Sequence, residues 1–156
     1  MANQDDARYR KAETAIMETF IELLPERGFE EITVKDLIAR AGVNRSTFYS
    51  HYADKYELID RVEDLLLDDL AELLVQAPVR EHVSALAEPD WLVRSYFARV
   101  AKFLESNGIL FYLLLGPHGR PEFGLKMSRM IHHTWSTRQL TPHATVPINY
   151  AYAAFT

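Results

Sequence analysis

Apolar residues recur at helical spacing along most of this chain. From Arg8 to Arg27, the positions Ala12, Ile16, Phe20 and Leu23 or Leu24 share one face of a 3.6-residue repeat and predict a first helix. Pro25 and Gly28 are its stop signals, with Pro25 expected to distort only the last turn, and residues 1–7 predict a frayed tip. Phe29 and Ile32 read as core plugs before a second helix, in which Val34, Leu37, Ile38 and Ala41 repeat at i, i+3, i+4 and i+7 behind a capping Thr33. Gly42 then stands where a chain reversal needs positive φ, and Asn44 can cap a third helix. That segment, Arg45 to His51, is short and surrounds one large apolar residue, Phe48, with Arg, Ser, Thr, Tyr, Ser and His. A helix that only filled a core would carry more than one anchor.

The remaining pattern predicts a long fourth helix from Asp54 to about Ala77, ended by Pro78. Its stripe runs Leu58, Val62, Leu65 or Leu66, Asp69 and Leu73, with acids opposite. Val79 to Glu88 reads as a loose helical turn. Asp90 to Asn107 is amphipathic, with Trp91, Tyr96, Val100, Phe103 and Leu104 inward and Arg94, Arg99 and Lys102 outward, and Asn107-Gly108 closes it. Ile109 to Leu115 is apolar all round, hence expected buried. GPHGRPEFG is a loop, Glu122 to Thr137 a further helix, Thr141 to Pro147 a second loop, and PINYAYAAFT the opening of another apolar helix. The prediction is therefore an all-α chain. Residues 8–55 form a three-helix head, and residues 56–156 a helical body reached through the fourth helix.

Helix, glycine-containing turn, and a second short helix with a polar face is the helix-turn-helix layout, in which the second helix lies in the DNA major groove. In that setting Arg45 can donate bidentately to guanine O6 and N7, while Ser46 and Thr47 are small enough to approach base edges or a thymine methyl. Tyr49 and His51 read as phosphate clamps that set register. Asp36 and Arg40, at i and i+4, predict a surface ion pair.

The segment ITVKDLIARAGVNRSTFYSHYADKYELI resembles the DNA-binding domain of the TetR family of bacterial transcription regulators. The shared features are Thr-Val before the second helix, Ala-Gly-Val at the turn, Ser-Thr-Phe-Tyr-x-His-Tyr in the third helix, and Ala-Asp-Lys opening the fourth. The resemblance implies that Thr33 caps its helix and touches a phosphate. It matches Lys35 to a position that reaches a phosphate or a base edge, and that is otherwise a plain surface lysine. It also implies that Tyr52 packs inward and that Lys55 contacts a phosphate. Asn44 joins the DNA-facing set as the N-cap. Arg8, Arg10 and Lys11 are either an N-terminal arm on DNA or a solvated helix start.

The family likeness further implies a repressor-type regulator that binds a pseudo-palindromic operator in double-stranded DNA as a homodimer and is released by a small-molecule effector. Through LLLGPHGRPEF, the body is similar to the subgroup that includes regulators of dihydroxyacetone kinase operons. Trp91, Tyr96, Phe103, Phe111, Tyr112, Met127 and Trp135, with His132, either line an effector pocket or form an ordinary aromatic core. Family members generally continue past PINYAYAAFT into two dimer-forming helices. At Thr156 the chain thus reads as cut short of them, or as dimerising differently. The rival reading is a family relative that has lost operator binding and acts as a coactivator or protein-interaction module.

Composition sharpens this picture. The net charge of −5 is unfavourable for a nucleic-acid binder, but its distribution is uneven. From Thr33 to Lys55, four basic residues face two acids, whereas from Tyr56 to Gln76 seven acids face Arg61 alone. A mildly basic head beside an acidic shaft lets one end meet phosphates while the other is repelled. There is no cysteine, the opening MANQDDARYRK lacks an apolar secretory core, and no apolar run approaches membrane-spanning length, so a cytoplasmic protein is expected. No nucleophile elbow, phosphate loop or dinucleotide fingerprint appears, and the six histidines lack ligand spacing. The expectation is no enzyme, no cofactor and no metal.

Overall fold

The computed structural model describes residues 2–77, 90–116 and 119–137. Among these residues the chain is helical and contains no strand. The helices are α1 (Ala2–Arg27), α2 (Val34–Ala41), α3 (Arg45–His51), α4 (Lys55–Val75), α5 (Asp90–Leu115) and α6 (Pro121–Thr137). The expected turn at Val79–Glu88 and the segments from Thr141 onward lie outside the described residues. Two compact units divide between Leu65 and Leu66, within α4.

In the first unit the predicted stripe of α1 becomes the core wall: Ile16, Phe20, Leu23 and Leu24 are all buried. Ile32, Leu37, Phe48, Tyr52, Leu58, Ile59 and Val62 complete that core, so each of the four helices contributes. The frayed tip is corrected, because α1 begins at Ala2. No glycine or proline interrupts its first turns, and Asp6 sits near an N-terminus whose dipole favours negative charge. The helix runs through Pro25 to Arg27, and Gly28, at φ 74°, donates its amide to Leu24 O at 2.9 Å. On α4, Glu63 departs from the expected acidic outer face and is fully buried. With Ile59, Leu66 and Leu67 also buried, this helix is covered over more than a single stripe.

In the second unit, two expectations are overturned. Asn107-Gly108 does not end a helix, since α5 continues unbroken to Leu115. A glycine in a helix interior costs about 1 kcal/mol. Here Asn107 Nδ2 holds Phe103 O at 3.0 Å, and the rings of Phe103, Phe111 and α6 Phe123 pack at 6.0 and 6.1 Å, favouring one continuous helix. Ile109 to Leu115 is not buried all round either. Leu114 is buried, but Ile109 is 68% and Tyr112 72% exposed. Trp91 and Leu104, expected inward, are also exposed, whereas Tyr96 is buried as expected. Hydrophobicity alone marks α5 as a burying helix without saying which side meets a neighbour. None of the described helices is long and apolar enough to cross a membrane.

Candidate nucleic-acid interface

The second helix is set by a capping box. Thr33 Oγ1 accepts the Asp36 amide at 3.2 Å, and the Asp36 carboxylate accepts the Thr33 amide at 3.1 Å. Thr33 Oγ1 also donates to the Asp36 carboxylate at 2.5 Å, and this bond, then that from the Thr33 amide, with Arg27 Nη1 at 3.2 Å, hold the Asp36 carboxyl below its ordinary value. The predicted Asp36–Arg40 pair is therefore not formed. Asp36 is turned to its own N-cap, and Arg40 instead reaches Glu26 at 2.9 Å and Glu22 at 3.3 Å on α1. Both ion networks fasten α2 to α1.

The turn is a Schellman closure. Gly42 adopts φ 67° and donates to Ile38 O, and the Val43 amide reaches the same oxygen at 3.2 Å. A side chain at this φ would be strained, which is why glycine stands here. Asn44 then caps α3, its Oδ1 accepting the Thr47 amide at 2.7 Å.

Phe48 and Tyr52 are buried and pin α3 to the core. Arg45, Ser46, Tyr49 and Ser50 are exposed along its opposite side. Arg45 lies against Tyr49, its guanidinium carbon 5.3 Å from the ring centroid and its Nη2 donating to the hydroxyl at 3.4 Å. Burial pushes the Tyr52 phenol up to about 12, and its hydroxyl has no hydrogen-bond partner, which agrees with an inward residue.

Of the nine residues read from sequence as DNA-facing, Asn44, Arg45, Ser46, Thr47 and Tyr49 sit together on the turn and on α3. Thr33 and Lys35 are exposed at the start of α2. His51 is corrected: both ring nitrogens are buried without a partner, and the ring stacks on Tyr9 at 3.8 Å, so they do not face outward. Lys55 is also more engaged than expected. Its Nζ donates to Phe29 O and Glu30 O, each at 3.0 Å, and lies 4.6 Å from the Phe29 ring centroid, tying the α1–α2 connection to α4.

Two contributors were missed. Tyr9 donates its hydroxyl to Ser50 O at 3.2 Å and locks α1 to α3. It lies three residues before Ala12, so the stripe of α1 already extended to it. Ser50 shares the exposed face of α3 with Ser46, one turn away, and its i+4 spacing was the available signal. Between α1 and the turn lies an open cleft of about 400 Å³, walled by Tyr9, Gly42, Asn44, Thr47 and His51 with Arg8 among its lining.

The residues offered as an effector pocket lie on α5 and α6 of the second unit. Trp91, Tyr112 and Trp135 are exposed, while Tyr96 is buried and Phe103 and Phe111 belong to the ring cluster with Phe123.

A helix capped behind a glycine turn, pinned from below and polar above, defines a helix-turn-helix DNA-binding domain. Residues 16–62 match the family described as bacterial regulatory proteins, tetR family. Among curated relatives, the helix-turn-helix-type transcriptional regulator YxbF of Bacillus subtilis (strain 168), itself uncharacterised, is 27% identical over 88 residues, 56% of this chain and 21% of its own length. A second uncharacterised regulator of that organism, YvdT, is 30% identical over 67 residues, 43% of this chain and 32% of its own. The matched stretches thus span about a fifth and a third of those relatives. A crystal structure of a TetR transcriptional regulator from Streptococcus agalactiae 2603V superposes with a TM-score of 0.61 at 28% identity, over 96% of this chain and 78% of that one. Residues 16–62 are thus similar to the helix-turn-helix DNA-binding domain of TetR-family transcriptional regulators.

Proposed function

We propose that the head reads operator DNA with α3 in the major groove, and that the protein acts in the cytoplasm as a dimeric repressor released by a small-molecule effector. The observation that carries this reading is the division of α3 into a buried side, held by Phe48 and backed by the buried C-cap Tyr52, and an exposed side bearing Arg45, Ser46, Tyr49 and Ser50. Arg45, steadied by Tyr49, is the natural partner of a guanine edge. Asn44, Ser46 and Thr47 lie beside it, and the exposed Thr33, Lys35 and Tyr49 are the phosphate contacts of this reading. Lys55 keeps one N–H beyond its two carbonyl partners for a phosphate, while His51 acts by packing against Tyr9. A short helix reads few base pairs, so a symmetric dimer on two half-sites gains the specificity that one head lacks. The dimer and its effector are drawn from the family alone.

Footprinting on the protein's own promoter tests the reading, with sedimentation on the same sample. The expected result is a protected pseudo-palindrome whose half-site centres lie about 34–36 Å apart or at a multiple of that distance. Protection of a single half-site by a monomer would remove the dimer. Absence of any protection by a folded dimer would remove the operator.

A further inference from the structure

The serine and threonine hydroxyls of α3 share one polarity. Asn44 Oδ1 accepts the Thr47 backbone amide, and because an amide N–H can only donate, the atom at that point must be the carboxamide oxygen. The same oxygen lies 2.7 Å from Ser46 Oγ and 2.9 Å from Thr47 Oγ1. Since Oδ1 can only accept, both hydroxyls donate to it. Ser50 Oγ lies 2.7 Å from the Thr47 carbonyl oxygen and must donate as well. All three hydroxyl hydrogens are thereby turned into the protein, leaving oxygen lone pairs toward solvent. The donors on the same surface include the Asn44 carboxamide nitrogen, the Arg45 guanidinium and the Tyr49 hydroxyl, which accepts from Arg45 Nη2 and keeps its own hydrogen available.

We infer that the recognition surface is divided by hydrogen-bond polarity, with Ser46 and Ser50 selecting bases that present an amino group in the major groove, adenine N6 or cytosine N4. Arg45 selects the opposite character, the acceptor pair of guanine. In the groove, thymine O4 and guanine O6 are acceptors and would face a serine lone pair, whereas adenine and cytosine offer donors. Turning a hydroxyl to donate outward would break a short internal bond. The inference rests on the DNA-reading proposed for α3.

A selection from a randomised duplex library with the whole protein, followed by anisotropy on the enriched duplex, tests it. Ser46→Ala and Ser50→Ala are exposed substitutions to the best helix former and leave the fold intact. The expected result is adenine or cytosine at the positions whose preference disappears in these variants. Replacing those bases by purine or 2-pyrimidinone, which lack the amino group, should weaken wild-type binding about 3- to 10-fold and leave the matching alanine variant unchanged. Thymine or guanine at the serine-dependent positions, or a motif indifferent to both alanines, overturns the polarity while leaving α3 a DNA reader. Enrichment of no sequence overturns the DNA-reading itself.

Discussion

Arg45 opens α3 and Tyr52 caps its end, and each carries its chemistry in a different way. The Tyr52 hydroxyl is buried with no partner, so it contributes a ring to the core and a polar atom that the core does not satisfy. Tyr52→Phe should therefore leave the thermal midpoint unchanged or raise it. Its folded phenol titrates near 12 against an ordinary 10.0, so ionisation favours the unfolded chain. Stability is fully present below pH 10 and falls as pH rises toward 12. An alkaline unfolding series should show that fall in the wild type and a smaller one in Tyr52→Phe, and an equal fall in both would assign it elsewhere. His51 shows where reading by residue type fails. An imidazole in a polar helix suggests a phosphate contact, but the residue that occludes it, Tyr9, is 42 positions away in the chain.

At the scale of the element, local rules carried most of the head. Thr33, Gly42 and Asn44 are side chains whose cap and turn roles follow from the backbone groups they satisfy, and all three occur as cap, left-handed turn and cap. Gly42→Ala places a Cβ on a left-handed residue and should cost about 1–2 kcal/mol, measured as a lower denaturant midpoint at unchanged slope. A neutral effect would show that the turn relaxes to another conformation. The Asp36–Arg40 expectation failed because helical spacing counts only neighbours on one helix, and Glu22 and Glu26 of α1 compete for the guanidinium. Asn107-Gly108 misled for a related reason. A helix-stop signal is worth about 1 kcal/mol, and aromatic packing on both sides of the glycine outweighs it.

At the scale of the whole molecule, a negative protein that binds DNA must confine its contacts to the basic end. The excess of positive charge between Thr33 and Lys55 is small, so phosphate attraction alone gives weak, salt-sensitive binding, and base contacts must supply the selectivity. On the reading proposed above, selectivity rests on Arg45 of α3 reading a base. The decisive experiment is fluorescence anisotropy of wild type and Arg45→Ala on a promoter duplex and an unrelated duplex, over several salt concentrations. Arg45→Ala should cost about 1–3 kcal/mol on the promoter duplex and far less on the unrelated one, so that the ratio between them shrinks. Equal loss on both duplexes would make Arg45 a phosphate contact only, and no loss on either would contradict the assignment of α3 as the reading helix.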